Sequence, residues 1–382
     1  MDGPLKNLLV LDLTRVLVGP YCTMILSDLG ARIIKVEAPE TGDDSRKFGP
    51  FVKNFSSYFM SLNRGKESIA LNLKNEDDKK IFENILAKAD ILVENFKPGT
   101  LEKWGYGWNE VNKKFPRLIY ASASGFGQTG PLKELPAYDM VVQGMGGLMS
   151  LTGHPNSGPT RVGTSIGDIT AGLFTAIGIN AALYDREKTG KGMFIDVSML
   201  DCQIAILENA IARYFSKKEI PKPMGSRHPS IAPFEAFKTK DSHIIIAAGN
   251  DRLFEKLCEA LNIKEISKNE KFNSNIKRCE NMDELKKRTS LSIEKSNTTK
   301  SARPIESSKK CPKCKEGMTS VKHGNIVMDK CQYCHGYWLK DGQLEYLCEH
   351  LTDHQLDQLN SIGQSKQKKK SYSNLFHFDS RM

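Results

Sequence analysis

The stretch that decides the fold is residues 8–37, LLVLDLTRVLVGPYCTMILSDLGARIIKVE. Leu8 to Leu13 is an almost continuous apolar run, which is typical of a strand buried on both faces. Tyr21 to Leu29 has a helical pattern that leads to Gly30, a residue that commonly ends a helix. Arg32 to Glu37 is a second β-rich run. The stretch therefore predicts a strand, a helix and a parallel strand.

The alternation of β-rich runs and helical patterns continues along the first 200 residues. Asn75 is placed to cap a helix, because the three acidic residues that follow it suit the positive end of the helix dipole. The buried stripe of this helix is predicted to be Ile81, Phe82, Ile85 and Leu86. Further strands are predicted at 68–73, 90–96, 118–122 and 194–197, and a helix buried on most sides at 169–184. The pattern indicates βαβ units on a parallel sheet and therefore an α/β fold.

Length and composition limit the class of protein. The chain has 382 residues, of which 39% are hydrophobic, so it can form a substantial core and more than one domain. The longest apolar stretch, 169–183, falls short of the ~18 residues that a membrane span needs. The N-terminus resembles neither a signal peptide nor a transit peptide. We therefore expect a cytoplasmic protein without a membrane partner.

Charge and cysteine are both concentrated near the C-terminus. Residues 1–260 carry 32 Lys and Arg against 30 Asp and Glu, whereas residues 261–382 carry 23 against 15. Only the C-terminal part therefore has the basic excess that nucleic-acid binding requires. The scattered cysteines are predicted to be reduced, mostly buried thiols: Cys22, Cys202, Cys258 and Cys279.

Gly125, Gly127 and Gly130 form a G-x-G-x-x-G pattern behind a predicted strand. A dinucleotide site needs the third glycine to open a helix and an acidic residue about 20 positions further on. Here Pro131 follows the third glycine, no amphipathic helix begins, and the acidic residue is missing. The pattern predicts a functional loop at the carboxyl end of a strand, and not a dinucleotide site.

Asp168 is the candidate for chemistry in GTSIGDITAG, residues 163–172, where a loop becomes a helix. It is the single acidic residue between Asp139 and Asp185. Ser165 is placed to cap the helix, which puts Asp168 in the first turn, where the dipole favours the carboxylate. From position alone, such a residue is more often stabilising than functional.

Six motifs occur in order: "VLDLTRVLVGPYCTMILSDLGARIIKVEAP", "LNRGKESIALNLK", "ILVENFKPGTLEKWG", "ASASGFGQTGP", "YDMVVQGMGGLMSLTG" and "GTSIGDITAGLF". Through them residues 4–287 resemble the family III CoA-transferases (the CaiB/BaiF type), which include formyl-CoA transferase and α-methylacyl-CoA racemase. "GSRHPSIAPFEAFKTKD" and "AAGND" make the succinate–hydroxymethylglutarate CoA-transferases the most similar branch.

The resemblance implies that Asp168 is the nucleophile. Its carboxylate would attack an acyl-CoA thioester to give an anhydride, and the released CoA would then give an aspartyl–CoA thioester that an acceptor acid takes over. With an ordinary pKa of ~3.9 the carboxylate is ionised at neutral pH and needs no base. Backbone N–H groups of glycines could stabilise the oxyanions, and the candidates are Gly144, Gly146, Gly147 and Gly249.

The resemblance also implies a cleft for coenzyme A, the substrate, lined by Val16, Leu17, Leu71, Asn72, Leu73, Lys74, Asn95, Phe96, Lys97, Lys103 and Tyr138. The three lysines suit the phosphates of CoA, and each could equally be a solvated surface charge. Ala38 and Leu17 replace an arginine and a glutamine of formyl-CoA transferase, which disfavours formyl-CoA. Tyr138 stands where the racemases have a histidine acid/base, which favours transfer over racemisation.

A different module follows. Two C-x-x-C pairs predict a tetrahedral, structural Zn²⁺ site at Cys311, Cys314, Cys331 and Cys334. The segment resembles the zinc ribbons of the transcription-factor-IIB type. Surrounding lysines leave nucleic acid open as a partner, whereas the acidic patch Glu345, Glu349, Asp353 and Asp357 favours a protein-binding role.

The expected fold class is α/β, with a Rossmann-like doubly wound large domain, a truncated α+β small domain and a C-terminal zinc ribbon. The expected boundaries are 1–215 for the large domain, 216–231 for a linker, 232–287 for the partial small domain, 288–310 for a flexible linker, 311–350 for the zinc ribbon and 351–382 for a polar tail. The truncation is expected to leave apolar faces of the small domain without partners.

The function implied is CoA transfer between an acyl-CoA and a carboxylic acid, preferably a dicarboxylic acid. Two alternatives stay open: a catalytically impaired fusion or composite chain that acts as a zinc-ribbon binding protein, and an α-methylacyl-CoA racemase-like enzyme. The family forms an interlocked homodimer, which the truncation leaves open here.

Overall fold

The computed structural model describes residues 3–296, 318–323, 326–331 and 337–338. Three of the predicted zinc ligands, Cys311, Cys314 and Cys334, and the predicted polar tail lie outside these ranges. The chain divides into two compact units between Ser226 and Arg227.

The first unit contains a six-stranded parallel sheet. The strands of this unit are β1 (Leu9–Asp12), β2 (Arg32–Glu37), β3 (Phe51–Val52), β4 (Phe55–Ser56), β5 (Glu67–Ala70), β6 (Ile91–Glu94), β7 (Ile119–Ser124) and β8 (Phe194–Ser198). Strands β3 and β4 form a separate short hairpin. The sheet order is β5-β2-β1-β6-β7-β8, and every pairing in it is parallel. This is the doubly wound, Rossmann-like order, whose direction reverses between β1 and β6. The predicted fold class is confirmed.

The helices of the first unit are α1 (Val18–Asp28), α2 (Ser57–Asn63), α3 (Glu76–Leu86), α4 (Thr100–Lys103), α5 (Trp108–Lys114), α6 (Asp139–Met145), α7 (Leu148–Leu151), α8 (Ile166–Thr189), α9 (Met199–Ala205) and α10 (Asn209–Lys217). A 3-10 turn spans Asp44–Lys47. Successive side chains of β1 enter opposite cores, since Val10 packs with residues of α1 and α8 and Leu11 with residues of α3. Both faces of the sheet are therefore covered by helices.

Helix α3 follows the predicted pattern with one exception. The Asn75 side chain accepts hydrogen bonds from the N–H groups of Asp77 and Asp78, which confirms the cap. Phe82 and Leu86 are buried, but Ile81 is 43% exposed. Ile81 lies at the edge of the apolar stripe, so its inclusion in the core was wrong.

Helix α8 is longer than predicted and less buried. Its exposed face contains Leu173, Phe174, Ile177 and Tyr184, because the opposite face alone packs against α1 and the sheet. The prediction that it is buried on most sides was wrong. By length and composition α8 is the one helix of the described residues that could span a membrane, although its packing against α1 is that of a core helix.

The second unit contains the hairpin β9 (Phe234–Lys238) and β10 (His243–Ala247) and the helices α11 (Asp251–Ala260), α12 (Lys264–Ser267), α13 (Asn275–Glu280) and α14 (Met282–Ser296). Residues 288–296 belong to α14, so the flexible linker predicted from residue 288 was wrong over this stretch. Thr289 and Ile293 are one turn apart and both buried, and Ile293 packs with Phe237. In β10, Ile245 is 76% exposed.

The zinc-ribbon segment forms a three-stranded antiparallel sheet of β11 (Met318–His323), β12 (Ile326–Cys331) and β13 (Tyr337–Trp338). Cys331 is the last residue of β12 and pairs with Met318.

Candidate active site

The predicted CoA-cleft residues lie at one edge of the parallel sheet. Val16 and Leu17 follow β1, the segment 71–74 follows β5, and the segment 95–97 follows β6. Because the strands are parallel, their carboxyl ends share an edge, and the point between β1 and β6 is where open α/β sheets bind ligands. Asp168 begins the helix that leads into β8, so it lies at this edge as well.

Asn95 links the loops after β1 and β6. Its Oδ1 accepts the Arg15 N–H at 2.9 Å, and its Nδ2 donates to the Arg15 carbonyl oxygen at 2.9 Å. The side chains of Leu71 and Leu73 are buried in the core, so this segment can reach a ligand only through its backbone and through the exposed Asn72 and Lys74.

The remaining predicted CoA contacts are exposed to different degrees. Phe96 is half-buried, Lys103 is exposed, and Tyr138 is 77% exposed. Lys97 forms an ion pair with Glu134 at 3.3 Å, in which both side chains are mostly exposed. Such a pair is weak, so Lys97 remains available to a phosphate.

Asp168 lies in the first turn of α8, as predicted, but the predicted cap does not form. The Ser165 side chain makes no capping hydrogen bond. Instead Asp139 Oδ1 accepts the Gly167 N–H at 2.8 Å, so a carboxylate at the start of α6 satisfies the helix end. Gln143 Nε2 donates to Asp139 Oδ2 at 2.8 Å, and Gln143 Oε1 accepts the Val162 N–H at 2.9 Å. Asp139 and Gln143 thus fix the residues that precede Asp168.

The protonation of Asp168 differs from the sequence-based expectation. Burial, and secondarily the nearby Asp139 carboxylate, raises the pKa of Asp168 to about 7. The expectation of an ordinary carboxylate was wrong, because the helix dipole does not offset the loss of hydration. At neutral pH about half of the molecules hold this carboxyl group protonated. A perturbed carboxyl group at a ligand-binding edge is typical of functional sites.

Gly172 brings Asp168 close to the predicted CoA loop. It lies one helical turn after Asp168, and a Cβ at this position would lie 2.7 Å from the Val18 carbonyl oxygen. Because glycine has no side chain, α8 and α1 meet backbone to backbone at this point. The start of α8 therefore packs beside the loop that carries Val16 and Leu17.

Of the glycines predicted as oxyanion donors, two already use their N–H groups in backbone hydrogen bonds. The Gly146 N–H donates to Val142 O at 2.8 Å, and the Gly147 N–H donates to Gly144 O at 3.2 Å. These two were wrong candidates, because they end helix α6 and their N–H groups close its last turn. Gly249 lies in the second unit.

The loop of Gly125, Gly127 and Gly130 begins at the carboxyl end of β7, as predicted. Gly127 and Gly130 have φ of +82° and +86°, and the Gln128 N–H between them donates to the Asp196 carboxylate at 3.0 Å. The next helix starts only at Asp139. The loop is a turn held by an acidic side chain, without the helix that a dinucleotide fingerprint requires.

Two residues of this edge were missed by the sequence analysis. Glu94 ends β6, is buried, and accepts the Phe96 N–H at 2.7 Å, and burial raises its pKa to about 7. An acidic residue at the carboxyl end of an apolar strand was the available signal. Tyr58 has a raised pKa because it is desolvated and close to the carboxylates of Asp168, Asp43 and Asp139, and no local pattern indicates it.

The predicted zinc site is only partly within the described residues. Among them no group of three or more His, Cys, Asp or Glu side chains could hold a metal ion. Cys331 ends a strand of an antiparallel sheet, and a turn behind such a strand is where a zinc ribbon places a cysteine pair. The predicted site otherwise lies outside the described residues and stays a prediction.

Comparison with known proteins gives two family matches and several relatives. CoA-transferase family III matches residues 5–312, further than the resemblance recognised by sequence, and a transcription factor zinc-finger family matches residues 310–350. An acetyl-CoA:oxalate CoA-transferase of Acetobacter aceti is 51% identical over 74% of this chain and 73% of its own length. A human succinyl-CoA:glutarate CoA-transferase is 43% identical over 78% and 68% of the two lengths.

Solved structures agree with these relatives. A CAIB/BAIF family protein from Brucella suis has a TM-score of 0.68 and 41% identity, covering 77% of this chain and 79% of that one. Rv3272 from Mycobacterium tuberculosis has a TM-score of 0.69 and 29% identity, covering 77% and 78%. With a family match over most of its length and the doubly wound sheet described above, this chain belongs to CoA-transferase family III.

Proposed function

We propose that the protein transfers CoA between an acyl-CoA thioester and a dicarboxylic acid, with Asp168 as the nucleophile. The observation that carries the proposal is the position of Asp168: a half-buried carboxyl group with a raised pKa, at the start of α8, at the edge where the loops after β1, β5 and β6 meet. Relatives named for oxalate and glutarate support a dicarboxylic acceptor.

The reaction balances without a redox partner. An Asp168 carboxylate oxygen attacks the thioester carbonyl, and the C–S bond breaks to release CoA thiolate and leave a mixed anhydride. The thiolate attacks the aspartyl carbonyl and expels the donor acid. The acceptor carboxylate attacks the aspartyl–CoA thioester, whose C–S bond breaks to release CoA thiolate and leave a second mixed anhydride. The thiolate attacks the acceptor's carbonyl carbon in this anhydride, which forms the second acyl-CoA and frees the Asp168 carboxylate. Only the ionised carboxyl group attacks, and its raised pKa makes it a stronger nucleophile than an ordinary aspartate.

Trapping with hydroxylamine tests this assignment. The full chain is incubated with succinyl-CoA and hydroxylamine, and modified carboxyl groups are mapped by peptide mass spectrometry. We expect a hydroxamate at Asp168 and none after Asp168→Ala. Asp185→Ala, at the far end of the same helix, is the matched control and should leave the modification in place. A modification at another carboxyl group, or none, contradicts the proposal.

A second candidate function follows from the change of family match near residue 310. The aligned part of the chain covers 73% and 68% of the lengths of these two relatives, a zinc-finger family matches from residue 310 onwards, and Ile245 in β10 is exposed. A catalytically impaired protein that acts through its zinc ribbon is consistent with these observations. It predicts CoA binding without exchange between succinyl-CoA and any of a panel of dicarboxylates.

We also propose that the exposed face of α8, defined by Leu173, Phe174 and Ile177, is covered in a homodimer. Exposed apolar side chains at this spacing form a continuous stripe along the helix. Light scattering should give twice the mass of 42.7 kDa, and a monomeric mass would contradict the proposal.

The C-terminal segment is proposed to bind structural Zn²⁺ through Cys311, Cys314, Cys331 and Cys334, the ligand set of a closed site. The family match over residues 310–350 supports this. A protein partner is favoured over nucleic acid because the sequence of this segment contains the acidic residues Glu345, Glu349, Asp353 and Asp357 besides its lysines.

A further inference from the structure

The loop between β1 and α1, residues 13–17, contains a backbone conformation that its own side chain disfavours. Val16 has a φ of +66°, in the left-handed region where a β-branched residue is a genuine outlier. A residue holds such a conformation only when the surrounding structure imposes it, and such residues cluster at ligand-binding sites.

Asp43 supplies the constraint. The Val16 N–H donates to Asp43 Oδ1 at 3.1 Å and to Oδ2 at 3.3 Å. The Asp43 carboxylate also pairs with Lys35 Nζ at 2.9 Å, and both side chains are 1% exposed. Lys35 Nζ donates in addition to the Thr14 carbonyl oxygen at 2.5 Å. One buried ion pair therefore holds the loop on both sides of Arg15.

The Asp43 carboxylate is itself fixed. The Ser45 N–H and hydroxyl donate to its Oδ1 at 2.9 and 2.7 Å, and the Asp43 N–H donates to Glu37 Oε2 at 2.9 Å. A buried ion pair is by itself a weak source of stability. Its placement against the strained residue indicates that it sets the conformation of the loop.

We propose that Asp43, supported by Lys35, is a positioning residue for CoA binding, which holds Val16 in its left-handed conformation so that the loop 13–17 is formed before CoA arrives. This rests on the proposed function, because Val16 and Leu17 belong to the proposed CoA cleft. Asp43 itself acts through the loop. A preformed loop binds without the cost of ordering it.

The affinity of the full chain for CoA, measured by isothermal titration calorimetry, tests the proposal. Loss of a charge-assisted hydrogen bond in Asp43→Asn should weaken CoA binding about tenfold. The KM for succinyl-CoA should rise in parallel, while kcat at saturation changes little. The matched control is Asp90→Asn, which removes an acidic partner of the buried Arg186 (3.1 Å) and of the Leu9 N–H (2.9 Å) at the other edge of the sheet. It should leave CoA affinity unchanged.

A double-mutant cycle separates positioning from general destabilisation. Glycine adopts the Val16 conformation without a steric cost, so in a Val16→Gly background Asp43→Asn should weaken binding less than about threefold. Equal losses in both backgrounds overturn the proposal. If Asp43→Asn does not fold, Ser45→Ala replaces it in the cycle, and its loss of CoA affinity should again be smaller in the Val16→Gly background. If Asp43→Asn binds CoA with wild-type affinity, this inference is wrong and the proposed function is unaffected. If the wild-type chain neither binds CoA nor is trapped at Asp168, the proposed function is wrong as well.

Discussion

A Cβ at Gly172 would lie 2.7 Å from the carbonyl oxygen of Val18, so α8 and α1 touch backbone to backbone one turn from Asp168. Gly172→Ala should push the two helices apart. We expect a loss of ~1–3 kcal/mol in the free energy of unfolding and a decrease in kcat/KM on the order of 100-fold. Thermal melts and initial rates measure both.

The control for this variant lies on the same helix. Gly178→Ala gains the same helix propensity, but its Cβ meets only side-chain atoms of Ile195, the nearer at 3.0 Å, and no backbone atom. It should retain most of the activity. Equal activity in the two variants would contradict the importance of the Gly172 contact.

Asp139 is expected to set the pH range in which Asp168 reacts. Its carboxylate contributes to the raised pKa of Asp168, and activity requires ionised Asp168, so kcat/KM of the wild type should fall as pH drops through about 7. Asp139→Asn keeps an oxygen for the Gly167 N–H and removes the charge. The acid limb of the pH profile should move to lower pH. Asp185→Asn is the control, and an unmoved limb in Asp139→Asn would contradict this explanation.

Asp168 is expected to cost stability at neutral pH. Its pKa is about 7 in the folded protein against an ordinary value of 3.8, so between these values the folded state binds a proton that the unfolded state lacks. The free energy of unfolding therefore falls as pH rises through this window. Asp168→Asn should stabilise the protein by roughly 1–3 kcal/mol at pH 8, and much less at pH 4. Urea titrations at both pH values measure the difference, and a pH-independent effect would argue against a raised pKa.

The sheet was predictable because its signals are local. The apolar runs at 8–13 and 118–122 identify strands buried on both faces. Asn75, followed by three acidic residues, identifies the start of a helix. Parallel strands share a carboxyl edge, but the structure was needed to show that β1 and β6 are neighbours in the sheet.

The features that sequence missed depend on residues far apart in the chain. Asp139 caps α8 from 28 positions away, and the raised pKa of Asp168 requires knowledge of burial. The stretch 288–296 is rich in polar residues, and only its contacts show that Ile293 anchors a helix. Helix α8 is apolar all round, so its sequence does not reveal which face packs against α1.

The protonated, neutral form of Glu94 is expected to hold the loop after β6 in place. Burial raises its pKa to about 7, and its Oε2 accepts the Phe96 N–H. Glu94→Gln keeps an acceptor without the charge and should stabilise the protein above pH 7, where the buried carboxyl group would ionise. Glu94→Ala leaves the Phe96 N–H without its acceptor and should cost ~1–3 kcal/mol. Equal stability of the two variants at pH 8 would contradict a role for this hydrogen bond.

Removal of zinc should separate the C-terminal module from the CoA chemistry. The four proposed ligands lie outside residues 3–296, where every proposed active-site residue lies, and a module of this size folds only with its metal. We expect one Zn²⁺ per chain by atomic absorption, lost on treatment with a chelator or in Cys331→Ser. Amides of residues 310–350 should then lose protection from hydrogen exchange, while hydroxylamine trapping at Asp168 persists. Cys202→Ser, a buried thiol of the first unit, is the matched control and should keep its metal. Loss of trapping together with the metal would show that the zinc module supports the active site directly.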